Sequence, residues 1–158
     1  METDAYDAAQ SIFRGTFDLA DIVFLIILQF LLLCSALASA SEVAYFSLSP
    51  GELEKLKEKG YDKVANLHQK PNLLLSTILI TNNFVNVGIV ILSTYLVNSL
   101  FDFSGNPVLG FIIQVIGVTF IILLFGEIIP KLYANRSQVK MAIFMAGPLT
   151  FLTYLFRP

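Results

Sequence analysis

The sequence predicts an all-α membrane protein with three transmembrane helices and a kinked juxtamembrane helix. Two observations support this fold class. Hydrophobic residues make up 56% of the 158 residues and charged residues only 14%, whereas a soluble domain carries about a quarter charged residues. In addition, three apolar runs each reach the ~20 residues that a helix needs to cross the hydrocarbon core of a bilayer.

The predicted spans are separated by polar segments. They cover about residues 22–49, 73–97 and 108–130. The first span ends at Pro50-Gly51. Residues 1–20 form an acidic tail without the basic start of a secretory signal peptide. We therefore divide the chain into an extracytoplasmic tail and a membrane domain of residues 21–158.

Two further segments are predicted to lie at the membrane surface. The connector of residues 51–71 carries five lysines, and its apolar residues recur at roughly helical spacing, so we interpret it as one or two amphipathic helices broken at Gly60. The last apolar segment, about residues 138–157, is short for a span and contains Pro148, which kinks a helix. We predict a kinked juxtamembrane helix there, with a fourth span as the alternative.

The distribution of Lys and Arg predicts the orientation of the chain. Basic residues crowd the connector and follow the third span as Lys131, Arg136 and Lys140. The loop of residues 98–107 has none, and the tail has only Arg14. Cytoplasmic loops carry the excess of basic residues, so we expect the N-terminus outside and the C-terminus in the cytoplasm, in the plasma (inner) membrane of a bacterium or archaeon. A net charge of −2 without a basic stripe excludes a nucleic-acid partner.

Two carboxylates, Glu42 and Glu127, lie within the predicted spans. Ionisable groups are expensive in hydrocarbon, so they face the bundle interior or a wet cavity and by default mark an ion or proton pathway. Cys34 and His68 are the single residues of their types and have no second ligand nearby, so neither is expected to bind a metal. The two glutamates are therefore the first candidates for function.

Polar side chains share one face on each of the first two spans. A rotation of 100° per residue places Ser35, Ser39 and Glu42 within about 60° of one another, whereas Ser41 points nearly the opposite way and is expected to pack. On the second span Asn82 and Asn86 are four residues apart and therefore stacked, and Asn83 lies about 100° away. Close helix packing and interhelical hydrogen bonds remain the alternatives for these residues.

The third span ends in a motif that exposes a backbone oxygen. Pro130 has no N–H, and in a continuing helix that N–H would have bonded the carbonyl oxygen of Gly126. The freed oxygen lies beside Glu127. As the alternative, Pro130 merely ends the helix and Glu127 pairs with Lys131 one turn later.

The candidate ligands are hydroxyl, carboxamide, carbonyl and carboxylate oxygens, without thiol or imidazole. Such a set suits Mg2+, Ca2+ or Na+ rather than zinc or copper. At 1.5 Å per residue, Ser39, Asn82 and Gly126 all fall in the inner half of the bilayer. These residues predict one shared cation site, and composition leaves the identity of the cation open.

Three segments together resemble the transmembrane domain of the CorC/cyclin M (CNNM) family. They are Ala40-Ser41-Glu42-Val43-Ala44, Leu79-Ile80-Thr81-Asn82-Asn83-Phe84-Val85-Asn86 and Phe125-Gly126-Glu127-Ile128-Ile129-Pro130-Lys131. The family pattern often has Gly where this sequence has Thr81. The resemblance covers about residues 20–158.

The resemblance implies Mg2+ export coupled to Na+ entry, a homodimer in the membrane lipid, and cytosolic CBS domains in the full-length protein that this chain lacks. It also implies ion ligands at Ser39, Asn82, Asn86 and the Gly126 carbonyl. Glu127 would supply the nearby charge, and Glu42 would act as a Na+ or gating residue. Ser35 is added to this set from helix geometry alone.

A function from a different class is a non-transporting membrane anchor or assembly component of a haemolysin-like or gliding-motility system. Such a protein would need no ion pocket and would depend on the Lys-rich connector instead. Enzymatic activity is not expected, because Glu42 and Glu127 have no accompanying nucleophile or histidine.

Overall fold

The computed structural model describes residues 18–156, and every regular element in that range is a helix. In chain order the helices are α1 (Leu19–Phe46), α2 (Pro50–Glu58), α3 (Asp62–His68), α4 (Pro71–Leu100), α5 (Pro107–Arg136) and α6 (Gln138–Leu155). Of these, α1, α4 and α5 are long and apolar enough to cross a membrane. The predicted fold class is confirmed. Most of the predicted tail, residues 1–17, lies outside the described range.

The first helix ends earlier than predicted because a cap interrupts it. α1 stops at Phe46 rather than at residue 49, since Ser49 caps α2. The Ser49 hydroxyl accepts from the N–H of Glu52 at 3.3 Å, and the Glu52 carboxylate accepts from the N–H of Ser49 at 2.8 Å. The hydrogen bonds from Ser49 hold the pKa of Glu52 below its usual value. The same carboxylate accepts from Gln138 at 3.2 Å, which ties α2 to the start of α6.

The third helix continues past the point where a stop was predicted. Two stretches of α5, Ile113–Gly117 and Ile122–Ile128, are π-helical. Pro130 follows the second stretch and lies in the first turn of the α-helical segment Ile129–Arg136. The alternative that Pro130 ends the helix is therefore wrong.

The connector folds onto one end of the bundle. α2 and α3 are separated at Gly60, whose φ of +83° favours glycine, as the sequence predicted. Leu56, Val64 and Leu67 are buried and join a cluster with side chains from α1, α4, α5 and α6. The tightly packed core therefore lies at the connector end of the three long helices.

The last helix packs one of its faces against that core. α6 continues through Pro148 and contacts α1, α3 and α4. Its buried side chains are Ala142, Met145, Ala146, Leu149 and Thr153. Its exposed face carries Phe144, Phe151, Tyr154 and Leu155. Buried on one face and aromatic on the other, α6 suits the predicted juxtamembrane position, and it is not among the three helices suited to span a membrane.

Tyr45 joins α1 to α6, and its hydroxyl is expected to stabilise the core. The side chain is fully buried, and its hydroxyl donates to the carbonyl oxygen of Ala142 at 3.0 Å. Tyr45→Phe should lower the free energy of unfolding by about 1 kcal/mol, because one buried hydrogen bond is lost. Denaturation in detergent measures the change, with Tyr133→Phe as the control on an exposed tyrosine. Equal losses in the two variants would contradict the assigned role.

Candidate metal site

The polar faces of α1 and α4 meet at Ser35. This serine is fully buried. Its hydroxyl oxygen lies 2.7 Å from the carboxamide oxygen of Asn86 and 2.9 Å from that of Asn82. The structure thus brings together the serine added from helix geometry and the two stacked asparagines.

The three oxygens of this cluster share a single hydroxyl proton. The Ser35 hydroxyl has one proton, so it can donate to Asn86 or to Asn82 but not to both at once. Each carboxamide oxygen has two lone pairs to satisfy. A cation placed among these oxygens would satisfy lone pairs that the single proton leaves free.

The third helix completes the cluster from the other side. The Asn86 amide nitrogen donates to a carboxylate oxygen of Glu127 at 3.5 Å, which turns the Asn86 oxygen toward Ser35. Gly126 packs directly on Ser35, because a Cβ atom built on Gly126 would lie 3.0 Å from the serine hydroxyl oxygen. Residues from α1, α4 and α5 therefore converge on one point in the membrane-spanning part.

Ser39 lies one turn along α1 from Ser35 and has an unsatisfied hydroxyl. It is 1% exposed, and its oxygen has no hydrogen-bond partner among residues 18–156. Other buried hydroxyls donate to the carbonyl oxygen four residues earlier, as Ser41 does to Leu37 and Thr77 does to Leu73. An unpaired buried hydroxyl costs about 1–3 kcal/mol, which sets Ser39 apart from these other buried hydroxyls.

The predicted candidate Glu42 and the neighbouring asparagine Asn83 both lie away from this cluster. Glu42 forms an ion pair with Lys131 at 3.0 Å, and each side chain is about one third exposed. Lys131 therefore pairs with a carboxylate on another helix. The alternative for the third span, in which Lys131 pairs with Glu127, is wrong. Asn83 is exposed on the outside of α4. A role for Glu42 in ion binding stays a prediction.

The site has a low density of formal charge. Within residues 18–156 no three His, Cys, Asp or Glu side chains come together in a way that could hold a metal ion. The half-buried Glu127 is the carboxylate in contact with the Ser35 cluster. Most of the ligands that replace water around a bound cation would therefore be neutral oxygens.

Two polar contacts away from the cluster were not predicted from the sequence. Asp21 is 2% exposed and accepts a hydrogen bond from Ser99 at 2.7 Å, joining the first turn of α1 to the end of α4. Gln114 donates to the hydroxyl of Thr94 between α5 and α4. The spacing of Asp18 and Asp21 is that of a helix capping box and was a usable signal for the start of α1.

The membrane domain as a whole is similar to a known family and to several known proteins. The family model described as the cyclin M transmembrane N-terminal domain matches residues 26–158. A UPF0053 protein of Haemophilus influenzae is 36% identical over 136 residues, covering 84% of this chain and 31% of the relative. The polyamine export protein of the same organism is 29% identical over 139 residues, covering 81% and 32%. The metal transporter cnnm-4 of Caenorhabditis elegans is 31% identical over 123 residues, covering 71% and 25%.

These relatives are much longer than the present sequence, which spans about a third or less of each of them. The family match nevertheless covers most of the chain, from the first turns of α1 through α6, and it includes Ser35, Asn82, Asn86 and Gly126. It confirms the resemblance that the three sequence segments indicated. This chain belongs to the cyclin M transmembrane N-terminal domain family.

Proposed function

We propose that this chain is the ion-binding membrane domain of a divalent-cation transporter and that the transported ion is Mg2+. One observation carries the proposal: three oxygens converge at Ser35 with a single hydroxyl proton between them. The unsatisfied hydroxyl of Ser39 one turn away supports it. Membership in a family with named metal transporters adds to that support.

The spacing of the oxygens suits a small hard cation. In an octahedral Mg2+ shell with metal–oxygen distances of about 2.0–2.1 Å, neighbouring ligand oxygens are about 2.9 Å apart. The separations around Ser35 are 2.7 and 2.9 Å. We assign as ligands the oxygens of Ser35, Ser39, Asn82, Asn86 and the Gly126 carbonyl, with Glu127 as the balancing charge. Mg2+ would bind there partly or wholly dehydrated.

A polyamine is the other substrate class that the comparisons raise, since one relative is named a polyamine export protein. Polyamines carry several ammonium groups, which need carboxylates spaced along the binding site. Here Glu127 is at the cluster, and Glu42 is already paired with Lys131. The neutral oxygens of Ser35 and the two asparagines favour a compact metal ion.

Isothermal titration of the purified chain with Mg2+, Ca2+, Na+ and spermidine tests the proposal. We expect Mg2+ to bind and Asn82→Ala to weaken binding. Spermidine binding in the absence of Mg2+ binding would overturn the choice of substrate. If site variants left function intact and changes in the Lys-rich connector abolished it, the chain would be a membrane anchor instead.

We further propose that Mg2+ is exported in exchange for Na+ and that Glu42 takes part in the Na+ step. Glu42 is seven residues from Ser35, about 10 Å along α1, so Glu42→Gln should leave Mg2+ affinity within about threefold. It should break the ion pair with Lys131 and remove the Na+ dependence of Mg2+ flux in vesicles. Glu54→Gln on the connector is the control. Mg2+ flux through the unchanged chain that does not depend on a Na+ gradient would contradict this coupling.

The exposed Asn83 supports the proposal of a homodimer. Its carboxamide lies one residue from Asn82 near the middle of α4, and no residue among 18–156 bonds to it. Polar side chains inside a bilayer hydrogen-bond across helices, so a second copy packed on this face would satisfy Asn83. Light scattering that found one protomer per micelle would contradict the dimer.

With the connector on the cytoplasmic side, the N-terminus would be outside.

A further inference from the structure

A second polar cavity lies away from the cation site, where α3, the start of α4 and the end of α6 meet. It encloses about 240 Å³. Its apolar floor is formed by Leu67, Leu73 and Leu74, and its polar rim by Lys63, Asn66, Lys70, Thr150, Thr153 and Tyr154. Neither the fold nor the proposed cation transport requires a cavity at this position.

The rim of this cavity is basic and lacks a balancing acid. Lys63 and Lys70 both line it, and none of the lining residues is a carboxylate. Within the part of the chain that the structure describes, neither ammonium group has an ion-pair partner. Asn66 and Tyr154 add hydrogen-bond donors to the same rim. The rim is therefore complementary to an anion.

The cavity also lies beside the start of a helix that is suited to span a membrane. Lys70 immediately precedes α4, which is long and apolar enough to span the bilayer. Beside the cavity, α6 exposes Phe151, Tyr154 and Leu155, each more than 60% exposed. Aromatic residues with a polar tip are typical of the headgroup level. The basic rim thus matches the anionic headgroup of a phospholipid, and the apolar floor matches its acyl chains.

We propose that this cavity binds the headgroup of an anionic phospholipid. Lys63 and Lys70 would hold the phosphate, and the first carbons of the acyl chains would lie on Leu73 and Leu74. The lipid would join α3, α4 and α6 at the connector end of the bundle. This inference is independent of the transported ion, and it would stand if the chain transported no Mg2+.

Thermal unfolding of the purified chain in neutral detergent tests the lipid site. Short-chain phosphatidylglycerol should raise the midpoint, whereas phosphatidylcholine and inorganic phosphate should not. Lys63→Gln/Lys70→Gln should weaken the apparent lipid affinity roughly tenfold or more, since each lysine near a headgroup contributes about a factor of five. Lys57→Gln/Lys59→Gln removes the same charge from exposed positions outside the cavity and should retain the response.

A steric variant separates the cavity from the charge. Thr150 is exposed on the rim, so Thr150→Trp should fill the cavity without unfolding α6 and should abolish the phosphatidylglycerol response with all lysines in place. Equal losses in the two double-lysine variants would show a general polybasic effect and overturn the site. So would a full response of Thr150→Trp, or a response of the unchanged chain to inorganic phosphate alone.

Discussion

Gly126→Leu is expected to weaken Mg2+ binding strongly and to reduce transport while the membrane domain still forms. A Cβ atom at this position would lie 3.0 Å from the hydroxyl oxygen of Ser35 and 3.6 Å from its Cβ. Ser35 on α1 is fully buried against α4 and α5 and cannot move away freely. The added side chain would therefore displace the hydroxyl around which both asparagine oxygens are arranged.

The size of this effect follows from the cost of overpacking. Extra carbons in a packed interior cost about 1–3 kcal/mol, so the loss of affinity should be roughly five- to 150-fold. Gly126→Ala should give a smaller loss, because a single methyl group requires a shift of only a few tenths of an ångström. Mg2+ titration and vesicle flux measure both variants.

Gly117→Leu is the matched control, since Gly117 lies in the other π-helical stretch of α5 and a Cβ atom there would meet no atom within 4 Å. It should leave Mg2+ affinity unchanged. If Gly117→Leu and Gly126→Leu lost binding equally, the effect would come from α5 as a whole. The contact of Gly126 with Ser35 would then have no special role.

Sequence patterns predicted the helices and the faces that meet in the site. The apolar length of each run fixed the number of long helices, because a bilayer requires about 20 residues per span. The rotation of 100° per residue placed Ser35 on the polar face of α1 and stacked Asn82 on Asn86. These are local regularities, and the structure brings all three residues together.

Features that depend on tertiary packing could not be predicted in this way. The π-helical register of α5 has no simple periodic signature, so a helix stop at Pro130 stayed open as an alternative, whereas the helix continues to Arg136. The partner of Lys131 could not be chosen from spacing either. Glu127 is four residues away in sequence, but Glu42 on another helix is the carboxylate at 3.0 Å.

Asn86→Leu is expected to weaken Mg2+ binding more than the same change at Asn82. Asn86 bonds to both Ser35 on α1 and Glu127 on α5, whereas Asn82 bonds to Ser35. Leucine at residue 86 keeps the approximate volume but removes one ligand oxygen and the donor to the Glu127 carboxylate. Hydrogen bonds to charged groups contribute about 1.5–3 kcal/mol, which corresponds to roughly ten- to a hundredfold in affinity.

Mg2+ titrations should show the largest loss of affinity in Asn86→Leu, a smaller loss in Asn82→Leu and the smallest in the control Asn72→Leu. Asn72 is exposed in the first turn of α4, about 20 Å along the helix from Asn86. A larger loss at Asn82 than at Asn86 would show that Glu127 does not act through Asn86. An equal loss at Asn72 would show that Mg2+ does not bind at the Ser35 cluster.

A double-mutant cycle then separates the link to Glu127 from the ligand oxygen. If Asn86 orients its oxygen by donating to Glu127, then Glu127→Gln and Asn86→Leu remove parts of one unit, and their effects on Mg2+ affinity should be non-additive by about 0.5–3 kcal/mol. Additive effects would mean that Glu127 contributes only its charge. The contact is long at 3.5 Å, so the cycle measures directly how strongly Asn86 and Glu127 are coupled.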